Sequence, residues 1–146
     1  MRVLILSQWY FPEPVWKPTT LAKELQRRGH HVEVLTGFPN YPGGKLYEGY
    51  RLAWRKREVI DGIPVLRLPL YPSHDLSAVH RSLNYLSFAL SASSLGALLS
   101  HRADVAYVYH PPGSVCIPAF VIKKLRGIPF VYDVQDIWPD TLAVTG

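Results

Sequence analysis

The opening of the chain limits its fold more than any other feature. Arg2–Ser7 is a short β-branched and leucine run that ends in polar residues, a buried strand by its length. Pro18 suits a first helical position, and Leu21, Ala22 and Leu25 mark one helical face up to Arg28, closed by Gly29. His31–Thr36, carrying Val32, Val34 and Leu35, reads as a second strand. A strand, a helix and a strand in close succession predict a right-handed βαβ unit and hence a parallel sheet. Further along, Arg57–Ile60 and Ile63–Leu68 flank Asp61-Gly62, the usual pair of a type I′ hairpin. Strand and helix signals then alternate again. Asp104–Tyr109 reads as a strand, and a helix after Pro111-Pro112 runs to Arg126-Gly127. Pro129–Val134 is a further strand, and a new helix opens near Trp138-Pro139-Asp140. The expected fold is α/β: a Rossmann-like, doubly wound, mostly parallel sheet with one hairpin excursion.

A chain of 146 residues fits one domain, and a hydrophobic content of 48% is enough to bury a core. Charged residues make up only 18%, against a usual level of about 25%. So sparse a polar surface predicts that part of it faces a partner, a neighbouring domain or a membrane. The net charge of +5 suits an anionic partner. Cys116 is the only cysteine, which excludes an intrachain disulfide and points to a reducing compartment. Val3–Leu6 is too short for the apolar region of a secretory signal. Ser82–His101 contains no Asp, Glu, Lys or Arg and approaches the length a bilayer demands, yet it holds many hydroxyls. It reads as a helix. Tyr85, Phe88, Ala92, Leu95 and Leu99 form one stripe with Leu83, Leu86 and Leu90 beside it, an apolar arc wide enough to call for burial on more than one side. Core packing is the main account, and shallow membrane contact between Arg81 and Arg102 is the alternative.

In open α/β sheets ligands bind beyond the carboxyl ends of the strands. Four loops therefore carry the functional candidates. The first, Ser7–Lys17, lacks the glycine pattern of a dinucleotide site and of a P-loop, so neither a Rossmann dehydrogenase nor P-loop phosphoryl transfer is expected. Its Trp9, Tyr10, Phe11 and Trp16 can stack on a sugar or pack on the sheet, and Glu13 and Lys17 can bond a polar ligand. In the second loop, Asn40 and Tyr41 suit a hydroxyl-rich ligand, or simply a rigid turn. Arg51, Arg55, Lys56 and Arg57 come next and can meet a diphosphate or an anionic surface. His110 stands at a strand end, where it can move a proton or donate a hydrogen bond. Asp136 and Trp138 complete the set, with Asp140 the better helix cap. No metal-ligand spacing and no nucleophile motif appears, and nothing points to nucleic acid. The loops describe a binding face without a complete catalytic centre.

These residues resemble a known family. The runs Thr36–Gly49 (TGFPNYPGGKLYEG), Leu83–Ala89 (LNYLSFA), Tyr109–Pro112 (YHPP) and Asp133–Thr141 (DVQDIWPDT) are similar to the amino-terminal half of glycosyltransferase family 4 proteins, and best to its WbuB-like branch of L-fucosamine transferases. The resemblance implies a GT-B architecture, in which two Rossmann-like domains face one another across a cleft. Residues 1–146 would then be an incomplete amino-terminal, acceptor-binding domain, with the donor-binding domain absent. It implies retaining, metal-independent transfer without a cofactor, from a nucleotide sugar to a polyprenyl-diphosphate-linked acceptor in surface polysaccharide (O-antigen) assembly. The protein would be cytoplasmic and peripheral on the inner face of the membrane. Glu13, Lys17, Asn40, Tyr41, His110 and Asp136 would line the cleft, with Arg51 toward diphosphate and Trp138 nearby. Many family members carry a Gly-Gly pair in the first loop, where this chain has Glu13-Pro14-Val15-Trp16. On this reading the chain alone does not catalyse transfer. The alternatives are a non-catalytic acceptor-binding or membrane-recruiting subunit of a split transferase, and an inactive fragment.

Overall fold

The computed structural model describes residues 1–73 and 77–135. Six strands form one sheet in the order β3-β4-β2-β1-β5-β6. They are β1 (Arg2–Leu6), β2 (His31–Gly37), β3 (Lys56–Ile60), β4 (Ile63–Leu68), β5 (Val105–Tyr109) and β6 (Phe130–Asp133). Every neighbouring pair is parallel except β3 and β4, the expected hairpin. Asp61 and Gly62 turn that hairpin with φ of 51° and 78°. Two successive positive φ values are what a type I′ turn demands, and they match the twist of the strands it joins. The doubly wound α/β reading of the sequence is the observed fold.

Helices cover both faces unequally. On one face α1 (Trp16–Arg27) packs Ala22, Leu21 and Leu25 onto Val3, Ile5, Val34, Ile63 and Val65. The other face carries α2 (Ala78–Ser91), a π-helical turn (Ala92–Gly96), α3 (Ala97–Leu99) and α4 (Cys116–Arg126). Phe88, Ala92, Ala97, Ala119 and Ile122 from that layer bury Leu4, Leu6, Leu35, Leu66, Leu68 and Val108. A strand buried on both faces reads as a continuous apolar run, and Val3–Leu6 does so.

The strands match the sequence reading to within one residue at each end, and the helices on the two faces differ from it for local reasons. Helix α1 starts two residues before Pro18, because proline anywhere in the first turn forfeits no intrahelical bond. The long helix runs over Ala78–Leu99 instead of 82–101. Ser77 caps it by accepting a bond from the His80 amide at 3.4 Å, and this places the charged Arg81 in the first turn. At its far end Ser100 is extended, and Arg126 Nη1 donates to its carbonyl at 3.1 Å and its hydroxyl at 2.6 Å. Burial of that helix is also one-sided: Phe88 and Ala92 enter the core, whereas Leu83, Leu86 and Leu90 stay exposed. The helix expected near Trp138 lies outside the described residues.

The last residue of β2 sits where backbone and helix come closest. A Cβ on Gly37 would overlap Leu70 Cδ2 and lie 3.1 Å from the Gln8 carbonyl oxygen, which itself accepts the Gly37 amide. The backbone oxygen cannot swing aside. Gly37→Ala is therefore expected to destabilise the protein by roughly 1–3 kcal/mol, the usual effect of overpacking. Urea denaturation checks this as a lowered midpoint at unchanged slope.

Candidate functional site

The strand order reverses between β1 and β5, so the carboxyl ends of these two strands flank the switch point at which such sheets bind ligands. From Leu6 the chain continues beside β2: the Ser7 amide donates to the Leu35 carbonyl, and Thr36 Oγ1 and the Gly37 amide both donate to the Gln8 carbonyl at 3.1 Å. This carries Gln8, Trp9 and Tyr10 over the end of the sheet in buried positions. Phe11 and Trp16, by contrast, stand in solvent. The four aromatics of the first loop thus divide into two packed and two presented.

A carboxylate inside the protein joins the first loop to the second. Glu13, 3% exposed, accepts the amides of Tyr41 at 2.8 Å and Asn40 at 2.9 Å on Oε1, and that of Tyr10 at 3.0 Å on Oε2. Burial pushes its pKa up to about 7, against the opposing pull of these three amides and of Arg67. Asn40 turns inward as well. Its Nδ2 donates to the Phe38 carbonyl at 2.9 Å, and its Oδ1 accepts from Asn84 Nδ2 at 3.1 Å. Asn84, on α2, also donates to the Tyr71 carbonyl at 2.7 Å and accepts from Gln8 Nε2 at 2.6 Å. Gln8 Oε1 has no partner among the described residues. One polar network therefore ties the ends of β1, β2 and β4 to α2.

On this network rests an aromatic group. The Trp9 ring lies 4.6 Å from that of Tyr41, tilted by 30°, and 6.3 Å from that of Tyr85, edge to face. Beyond β5, His110 meets Tyr132 edge to face at 5.9 Å. Its Nδ1 is buried without a partner among the described residues, while Nε2 lies on the side of Gly113. A neutral ring that keeps its proton on Nε2 leaves Nδ1 a bare acceptor, the less costly buried arrangement, and offers Nε2–H as a donor.

Arg67 holds the hairpin side of the site. It is 0% exposed, donates to the Gly37 carbonyl at 3.0 Å, and bonds the Phe11 carbonyl and Glu58 Oε1. Its guanidinium also lies 5.1 Å from the centre of the Tyr50 ring. Nothing in the strand pattern of Ile63–Leu68 marks this residue, since an arginine in a strand ordinarily faces water.

The structure sorts the sequence candidates by position. Glu13 and Asn40 are interior and place the loops through their bonds. Tyr41 and His110 are half-exposed at the strand ends. Lys17 Nζ pairs with Asp133 at 2.8 Å and donates to Gln135 Oε1 at 3.0 Å. Bonds from Lys17 and Tyr107 hold the Asp133 carboxyl below its usual range in spite of burial. Lys17 and Trp16 line a groove of about 590 Å³ between α1 and the end of β6, with Tyr107, Val131 and Asp133. Arg51 lies elsewhere, in a cleft with Tyr50 and Lys56 at the hairpin edge. Of its basic neighbours, Arg57 bonds Glu33 and the Leu99 carbonyl, and Lys56 pairs with Glu58. Asp136 and Trp138 lie outside the described residues. Sequence reasoning missed Gln8, Asn84 and Arg67. Their partners come from distant segments, so local pattern carried no signal for any of the three.

A second cleft, of about 410 Å³, is lined by Arg2, His30, His31, His101 and Arg102 at the amino ends of the strands. It lies at the opposite edge from the switch point. Among the described residues no three His, Cys, Asp or Glu side chains gather as metal ligands would.

Comparison with known proteins decides the family. Residues 18–145 match the family described as Glycosyl transferase 4-like domain. The chain belongs to this glycosyl transferase 4-like family. It is also 31% identical, over its whole length, to WcaI of Escherichia coli (strain K12), named for a glycosyl transferase role in colanic acid biosynthesis, and spans 37% of that relative's length. Among solved structures it is similar to the C-terminal domain of a hydrogenase from Pyrococcus furiosus, with a TM-score of 0.53, 18% identity and 91% of each chain covered. That likeness concerns the fold alone. The family match reaches from the first helix of this domain past its last described strand, and so takes in the strand-end loops around Tyr41 and His110.

The two buried charges of the site make different demands on stability. Arg67→Met removes one donor from Glu58 and from the Gly37 and Phe11 carbonyls and is expected to cost roughly 3–5 kcal/mol, read from chemical denaturation. Glu13, with its pKa raised by folding, binds its proton more tightly in the native state. Its contribution to stability is then full below pH 4.5 and is lost as the pH rises to about 7. The wild-type protein is expected to lose up to about 3 kcal/mol across that window, a slope that Glu13→Gln removes; denaturation at a series of pH values tests it.

Proposed function

We propose that this chain is the acceptor-binding part of a glycosyltransferase of cell-surface polysaccharide assembly. It receives a polyprenyl-diphosphate-linked sugar at the carboxyl ends of β1, β2 and β5. The observation that carries this reading is the set of half-exposed side chains at the switch point, Tyr41, Tyr85 and His110, held over a buried polar network. Aromatic faces suit the apolar faces of a sugar ring, and a nearby imidazole donor suits its hydroxyls or a phosphate oxygen. Family membership and the colanic acid relative support the reaction class.

In this reading the donor is a nucleotide sugar, held by a second domain that faces the strand ends. Transfer is retaining and independent of metal or cofactor, and residues 1–146 alone are inactive. The WbuB-like motifs favour an amino sugar such as fucosamine as the group moved. In this reading Lys17 and Arg51 meet the diphosphate, and Asp136 and Trp138 take part in substrate binding. The protein works in the cytoplasm, at the inner face of the membrane.

Titration calorimetry with a short-chain, water-soluble polyprenyl diphosphate sugar tests the acceptor assignment. The 146-residue chain is expected to bind it. Tyr41→Ala and His110→Ala should each weaken binding about tenfold or more, the equivalent of one lost charge-assisted bond or stacking contact, with melting temperature nearly unchanged. Absence of binding, or binding indifferent to both substitutions, would overturn the assignment.

A further inference from the structure

Helix α2 has two faces with opposite surroundings. Asn84, Phe88 and Ala89 turn inward, while Val79, Leu83, Leu86 and Leu90 stand in solvent. The spacing i, i+4, i+7, i+11 confines these four to a stripe about 60° wide at 100° per residue. The π-helical turn at Ala92–Gly96 then adds one residue to the winding and rotates the remaining turn of helix by about 100°. Leu98, 80% exposed, is thereby brought back into line with the stripe. Gly96 meanwhile keeps the backbone against the sheet, since a Cβ there would lie 2.8 Å from Leu35 Cδ2.

Beside it, α4 repeats the arrangement. Pro118, Ala119 and Ile122 are buried, and Ile117, Phe120 and Lys124 lie outward at i, i+3, i+7. Two neighbouring helices on one side of the sheet thus present large apolar side chains to solvent, a patch of a kind that marks an interaction surface.

Charge selects the occupant. From Ser77 to Tyr132 the sequence has Arg81, Arg102, Lys123, Lys124 and Arg126 and a single carboxylate, Asp104. Asp104 is paired with Arg2 at 2.6 Å. Exposed leucines and a phenylalanine with Lys123 and Lys124 beside them match a surface with an apolar interior and anionic headgroups. A second copy of the chain would set these cations against their own kind. By length and composition Ala78–Leu99 could also cross a bilayer. Its inner face, however, is part of the core, and Asn84 is bonded to Gln8, Asn40 and Tyr71. The helix is held along the sheet.

We propose that the outer face of α2, α3 and α4 docks on an anionic lipid bilayer, with the Leu83–Leu86–Leu90 stripe entering the acyl boundary. Lys123 and Lys124 meet the headgroup phosphates. This rests on the reading of a lipid-linked acceptor in that it supplies the surface by which the domain reaches one. The long axis of the stripe then lies in the membrane plane.

Co-sedimentation of the 146-residue chain with vesicles tests it, using phosphatidylcholine alone and phosphatidylcholine with about 30% phosphatidylglycerol. Binding is expected to the anionic vesicles, at least tenfold weaker to the neutral ones, and to decline with salt. The exposed triple variant Leu83→Ser/Leu86→Ser/Leu90→Ser should lose tenfold or more. Lys123→Gln/Lys124→Gln, which leaves the apolar stripe intact, should lose roughly tenfold to thirtyfold at low salt. No binding to either vesicle, or binding that both variants retain, overturns the proposal. So does a dimer in sedimentation equilibrium that the leucine variant dissolves while vesicle binding persists. Neither variant touches Tyr41 or His110. Failure to bind vesicles with soluble-acceptor binding intact therefore refutes the docking face alone, and the converse refutes the acceptor site alone.

Discussion

The Arg67 guanidinium has no access to water, and three separate pieces of chain converge on it. It bonds the end of β2 through the Gly37 carbonyl, the first loop through the Phe11 carbonyl and the neighbouring strand through Glu58. A buried cation is tolerable only when its donors are used, so each of these groups must be in place before the arginine can be. The loops that form the candidate site are for this reason coupled to the hairpin at the sheet edge. The antiparallel excursion, which looks like an appendage in the strand order, is the wall against which the site is assembled.

Glu13 plays the complementary part on the other side of the first loop. A proline-rich loop has few amide donors of its own to organise it, and a single carboxylate that accepts three backbone amides supplies the missing order. The Gln8–Asn84–Asn40 chain extends this order to α2. The half-exposed groups Tyr41, Tyr85 and His110 thus stand on supports that are themselves fixed, as a recognition site requires. The residues with the strongest polar bonds here position the loops, and the half-exposed ones lie at the ends of the strands.

The two faces of the sheet differ in what covers them. One helix packs on the first, and a layer of three helices with a π-helical turn packs on the second. That second layer buries its small and aromatic residues inward and keeps a leucine stripe outward. The strand-end loops and the outward stripe lie on different surfaces of one domain. A lipid-linked sugar has both an apolar tail and a polar head. In the proposed reading, polar strand ends beside an apolar flank suit both parts at once.

Much of this was legible in the sequence. The βαβ opening, the Asp61-Gly62 hairpin and the alternating later elements come from periodicity and turn chemistry, which act over a few residues and so are written locally. The same logic pointed to the loops beyond the strand ends, where Tyr41 and His110 stand half-exposed. The motifs around Tyr41 and His110 pointed to the family that the comparisons then established. Which polar residues would face inward was not legible. Glu13 and Lys17 are both charged residues of one loop, yet one is buried under three amides and the other pairs with Asp133 near the surface. Arg67 and Asn84 were invisible as site residues because their partners come from β2, β3 and distant loops. The sequence by itself determined the elements and their order, because those depend on neighbours along the chain. Only the tertiary structure decided which side chains hold the site and which leucines remain outside. Burial and hydrogen bonding are set by groups that meet across the fold, and local pattern does not record them.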